Sequence, residues 1–120
     1  TAAMTTDFDN AAPPVDNRFA KVRFEAAVGQ IFWFNGFDAN GQAVPVPLKL
    51  ERIRTRSSPP GFEQFAALFV GPAGQALGQG NYPASSDGFG SENLFIVPIG
   101  LADDGGRLYE LVVARRAQHG

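Results

Sequence analysis

The chain has 120 residues, 44% of them hydrophobic, with 11 Phe against one Met and one Trp. That length holds one domain, and the apolar fraction supplies a phenylalanine-filled core and excludes wholesale disorder. Charged residues are 18%, the net charge is −2 and Cys is absent. This balance argues against a general nucleic-acid-binding surface and excludes disulfides, thiolate nucleophiles and thiolate metal sites.

Fourteen Gly and 9 Pro suit short strands joined by tight turns better than long helices. No apolar run approaches the roughly 20 residues with which a helix spans a bilayer, so membrane insertion is not expected. Residues 1–17 read as an extended N-terminal arm of Ala, Thr, Asp and Asn around Pro13-Pro14. Its bulky apolar side chains are Met4, Phe8 and Val15. Such a stretch cannot bury enough surface by itself to offset the entropy of ordering it. An all-β domain is expected over residues 18–120.

Lys21-Val22-Arg23-Phe24 alternates polar and apolar as a strand does. Gln30 to Phe34 is an aromatic-rich run that reads as a buried strand. Between them, Glu25 to Gly29 fits either a helical turn closed by Gly29 or a bulge. Asn35-Gly36 and Asn40-Gly41 are both hairpin signals, because positive φ angles are cheap only for such residues. Val46, Leu48 and Leu50 then alternate with Pro47, Lys49 and Glu51, a strand with one wet face. Pro45 and Pro47 donate no ladder hydrogen bonds, which places the start of this strand at a sheet edge.

Ser57 to Gly61 is a loop. Phe62 to Val70 follows as a strand with Phe65, Ala67 and Phe69 on one face and Ala66, Leu68 and Val70 on the other. Apolar residues on both faces predict a central, two-sided position. Gly71 to Gly74 turns the chain, and Gln79 to Tyr82 adds a short strand. Glu92 to Ile99 is another strong strand, joined through Asp103-Asp104-Gly105-Gly106 to Arg107–Arg115 as a hairpin. About six or seven strands at this spacing predict a small antiparallel sandwich or a partly open barrel.

Several short patterns lie along the folded part: Phe24-x-x-x-Val28-Gly29-x-x-Phe32, Leu48-x-Leu50, and Gln64-Phe65-x-x-x-Phe69-x-Gly71-Pro72. Further on come Leu77-x-Gln79-Gly80-x-Tyr82, Leu94-Phe95-x-Val97-Pro98-Ile99-Gly100 and Tyr109-Glu110. Together they resemble a small bacterial all-β family of unknown function. Members of that family tend to accompany proteins that resemble phage tail-collar domains, so the resemblance implies particle or surface assembly. The shared positions are mostly Phe, Leu, Gly and Pro, which specify core and turns and name no chemistry. The arm and the Pro45/Pro47 pair lie outside the pattern.

Candidate chemistry is sparse. His119, the one histidine, sits beside the last residue, whereas a catalytic base needs a rigid position and an orienting partner. Without Cys or a second His, zinc and redox-metal sites are not expected. Ser85-Ser86 reads as loop, and Asp103-Asp104 as turn chemistry. Asp7, Asp9 and Asn10 offer oxygen ligands but lack the spacing and closing Glu of a calcium loop. The glycines from Gly71 to Gly80 match neither phosphate-binding spacing.

Arg52, Arg54 and Arg56 are spaced by two and so project from one face of an extended strand. They read either as a solvated face that resists edge pairing or as a docking stripe relieved by acidic partners. Asp7, Asp9 and Asp16 of the arm are available complements. Phe32, Trp33 and Phe34 are consecutive, so at least one ring turns away from the face that buries the others. An exposed ring would mark an interface.

These residues lead to the expectation of a non-enzymatic structural or accessory subunit, without cofactor or metal, docked on a larger protein assembly. Its partners would be protein subunits, copies of itself included. Phe8 and Val15 would be the plugs, with Asp7, Asp9 and Asp16 oriented against Arg52, Arg54 and Arg56. The alternative is a free-standing module for a small ligand or glycan. It would use the loops around Asn35–Asn40 and Ser85–Gly90 and a pocket holding Trp33 or Tyr82. An enzyme ranks third, because no set of acid, base and nucleophile can be assembled.

Overall fold

The computed structural model describes residues 19–37, 40–74 and 76–116. These form one short helix, α1 (Lys21–Glu25), and six strands: β1 (Ile31–Phe37), β2 (Ala43–Arg56), β3 (Phe62–Gly71), β4 (Gly80–Ser86), β5 (Gly90–Leu101) and β6 (Arg107–Arg116). Every pairing is antiparallel, in the order β1-β2-β3-β6-β5-β4, and β4 returns to β1. The all-β expectation is met by a single sheet curled into a ring, irregular where the β4–β5 hairpin joins the rest. The expected arm over residues 1–17 lies outside the described residues. Among the described residues no helix is long and apolar enough to cross a membrane.

Alternation along each strand sends one set of side chains into the ring. Phe32, Phe34, Leu48, Leu50, Phe65, Phe69, Ile96 and Tyr109 are all fully buried there. The rings pack edge-on: Phe69 meets Phe32 at 5.3 Å and Phe34 at 5.5 Å between centroids. Such pairs add about 0.5–1.5 kcal/mol each beyond the area they bury. A ring of six strands is narrow enough to be filled largely by its own side chains. Function is therefore sought outside it.

Lys21 to Phe24 belongs to the helix, not to a strand. Four alternating residues satisfy both periods, and burial decides between them: Phe24 and Ala27, three apart, are both buried while Val22 is 70% exposed. Phe24 stacks at 5.5 Å on Phe65 and 4.7 Å on Phe89, so α1 seals one end of the ring. Gly29, at φ 93°, ends the turn and donates its N–H to the Leu50 carbonyl at 2.7 Å. Polar contacts tie the helix down. Arg23 reaches Glu92 at 3.1 Å and the Phe89 carbonyl, and the Lys21 N–H donates to Glu63 at 2.9 Å.

Asn35-Gly36 is not a turn but the inside of β1, where a β-carbon at position 36 would lie 2.5 Å from Cδ2 of Leu77. Glycine is there for close packing. Asn40-Gly41 is the turn, with Gly41 at φ 79°. Pro45 and Pro47 occupy the half of β2 paired only with β1, since pairing with β3 starts at Lys49. That matches the expected edge. A register shift between Leu50 and Arg52 then leaves Glu51 as the extra residue.

β3 is central, between β2 and β6, but its second apolar face is on the outer wall, where among the described residues no second sheet lies over it. β4 is longer than the expected Gln79–Tyr82. It takes in Ser85 and Ser86, and the buried Ser86 hydroxyl donates to Gln30 at 2.7 Å. The β5–β6 hairpin forms as expected, its turn held by the Gly106 N–H donating to Asp104 at 2.9 Å.

Candidate binding surfaces on the outer wall

The β4–β5 hairpin meets the four-stranded remainder at two seams, and both open on the outside. At the first, β4 pairs with β1 only at Trp33–Ser85 and Phe34–Ala84. The next rung would set Asn35 against Pro83, which has no N–H to donate, so the ladder stops. Beyond it lies a groove of about 350 Å³ lined by Trp33, Asn35, Pro83, Ala84, Ser85, Ser91, Glu92 and Asn93.

Register fixes its layout. Trp33, Ser85 and Ser91 share a rung across three strands, and Pro83 sits opposite Asn93 two residues along. Trp33 is 48% exposed, the ring that turns away from Phe32 and Phe34. Glu92 registers with Ala84 on the opposite face, where its carboxylate is taken by Arg23. Apart from Glu92, the polar side chains that line the groove among the described residues are neutral amides and hydroxyls. Among the described residues, the side chains of Asn35, Ser85, Ser91 and Asn93 make no hydrogen bond to another protein group.

The second seam is a split. β5 pairs with β6 only from Val97 onward, while its first half is given to β4. β6 continues from Leu111 to Arg116 against β3 alone. The slot of about 310 Å³ left between them is lined by Phe19, Asn93, Phe95, Val112 and their neighbours. Phe95 is 42% exposed and Val112 50%. Most of this lining is apolar, with Asn81, Asn93 and Arg115 among it.

The arginine stripe lies on the same wall. Arg52, Arg54 and Arg56 are all exposed on β2, and register carries Arg54 across Ala66 to Val112 at the slot's margin. Arg56 approaches Glu110 at 4.0 Å, so among the described residues the stripe's acidic partner comes from β6. An exposed pair of this kind is worth about 0–1 kcal/mol. Phe8, Val15, Asp7, Asp9 and Asp16 lie outside the described residues, as do His119 and the Asp7/Asp9 oxygen cluster.

Of the two aromatics expected in a pocket, Trp33 lines the groove and Tyr82 does not. Tyr82 faces inward, edge-on to Phe34 at 6.4 Å, with its hydroxyl donating to the Gly78 carbonyl at 2.8 Å. Asn93, Ser91, Phe95 and Val112 escaped the sequence reading because alternation tells which face a residue takes, not which outward residues of distant strands are brought together. Pro83 inside a strand was the one available clue to an interrupted ladder. Among the described residues no three His, Cys, Asp or Glu side chains are grouped to hold a metal ion.

No curated protein and no solved structure matches the chain. A family model described as Domain of unknown function (DUF6916) matches residues 19–113, from the entry to α1 through most of β6. The chain belongs to that family.

Proposed function

We propose that this DUF6916 member is a non-enzymatic accessory subunit that docks on a larger protein assembly through its β-domain and the segment before Phe19. The observation that supports this reading is the split between β5 and β6. A closed ring removes strand edges, whereas an open slot keeps two of them beside apolar flanks, the arrangement that accepts an added strand. Phe95 and Val112 supply the surface a partner would desolvate.

Phe8 and Val15 are the proposed plugs, each contributing about 1.5–3 kcal/mol if buried. Asp7, Asp9 and Asp16 would orient the contact against Arg52, Arg54 and Arg56, adding about 0–1 kcal/mol per exposed pair. Membership of a phage-like or extracellular particle, the finer form of this reading, draws on the resemblance to a family that accompanies tail-collar-like proteins.

The test is the size at which the protein travels in an extract of its own cells, followed by sedimentation. The wild type is expected in a fast fraction, and Phe95→Asp or Val112→Asp should move it to monomer size while leaving the thermal midpoint nearly unchanged. A wild-type protein that sediments as a free monomer overturns the docking reading.

A further inference from the structure

We infer that the groove at the β1–β4 seam is a binding site for a neutral saccharide. This gives the ligand-module alternative a place and a chemistry, and it shares Asn93 with the docking slot on the other side of the hairpin. Three strands and two rungs cover roughly 10 Å by 7 Å, the footprint of a mono- or disaccharide. Across it lie one half-exposed indole, a proline ring, two carboxamides and two hydroxyls.

Each component has a counterpart on a sugar ring. The C–H face of a pyranose is apolar and packs on an indole face, whose negative quadrupole attracts the slightly positive hydrogens. A carboxamide carries a donor and an acceptor side by side, which matches two adjacent hydroxyls on a ring. Serine hydroxyls can turn to donate or accept as needed.

Two further observations favour a sugar over other ligands. Asn35, Asn93, Ser85 and Ser91 spend none of their side-chain hydrogen bonds on other protein groups among the described residues, so that capacity faces outward. The carboxylate nearest in sequence, Glu92, registers on the inner face and is neutralised by Arg23. Among the described residues that line the groove Glu92 is the one that carries a charge, and a carboxylate repels an acidic sugar or a phosphate. Neutral saccharides are the class that remains.

The site carries its own reporter, because Trp33 is the chain's one tryptophan. The full chain is titrated with cellotetraose, maltotetraose and chitotetraose while Trp33 emission is followed. At least one should give a saturable shift at millimolar concentration or below. Asn35→Ala and Asn93→Ala should each weaken binding by about tenfold, the loss of one good hydrogen-bonding group. Calorimetry on Trp33→Ala should show no binding, with an unchanged far-ultraviolet spectrum. A heparin tetrasaccharide should leave the emission unmoved.

A flat emission with all three neutral sugars overturns the inference, as does equal affinity in the Asn35→Ala/Asn93→Ala double variant or a preference for the heparin fragment. None of these outcomes bears on whether the protein sediments with an assembly. The docking reading therefore fails or survives separately.

Discussion

The two seams that hold the β4–β5 hairpin to the rest of the ring are built on opposite principles. At the β1 seam two residue pairs close the ladder, then Pro83 stops it, and the opening around Trp33 is lined by amides, hydroxyls and Glu92. At the β6 seam the strands part after Val97–Glu110, and the opening is lined by Phe19, Phe95 and Val112. One opening offers hydrogen bonds and an aromatic plate; the other offers strand edges and apolar area. The same hairpin can thus present two unlike surfaces, because what breaks the pairing differs. A missing donor leaves a groove of about 350 Å³, and a strand that changes partners leaves a slot of about 310 Å³.

The comparison rests on a core common to both seams, and removing that core should have the largest effect. Phe69 is fully buried against Phe32 and Phe34, so Phe69→Ala should cost about 3–5 kcal/mol. A shifted denaturant midpoint is the readout, and hydrogen exchange should accelerate at both seams together. Acceleration at one seam alone would show that the core does not couple them.

Gly36→Val tests the β1 seam in isolation. The added side chain meets Leu77, and overpacking of this kind costs about 1–3 kcal/mol. Amides of β1 and β4 should lose protection while those of β6 keep theirs. Pro83→Val has the opposite sign. It restores a backbone donor, and one more ladder bond should add about 0.5–1.5 kcal/mol, protecting Asn35 and narrowing the groove. An unchanged exchange rate at Asn35 would mean that proline is not what ends the ladder.

Arg56→Ala is the smallest expected effect. Its partner Glu110 is 4.0 Å away and the arginine side chain is 44% exposed, so the cost should stay below about 1 kcal/mol and shrink further in salt. A larger loss would make the arginine stripe a structural part of the β6 wall rather than a surface available for docking.

Some of this architecture follows from residues taken a few at a time. Alternation along Ile31–Phe37 puts Phe32 and Phe34 on one side and Trp33 on the other, whatever the rest of the chain does. Phe65 and Phe69 are core by the same logic, and the Asp104–Gly106 turn is local chemistry. Arg52, Arg54 and Arg56 share a face because the strand period is two. The pairing of Arg56 with Glu110 could not be read that way, since β2 and β6 are brought together only through β3.

Other features were decided by the assembled ring. Lys21 to Phe24 fits a strand or a helix over four residues, and only the open end of the ring, where Phe65 and Phe89 receive Phe24, selects the helix. Asn35-Gly36 carries a turn signature, yet Leu77 packs so close to Gly36 that the pair serves inside a strand. Which side of the hairpin becomes a polar groove and which an apolar slot depends on how β4 and β5 divide their pairing among neighbours. Side-chain direction is a property of consecutive residues, and the sequence by itself determined it. Closure, seams and surfaces depend on pairings between distant strands, and those only the tertiary structure decided.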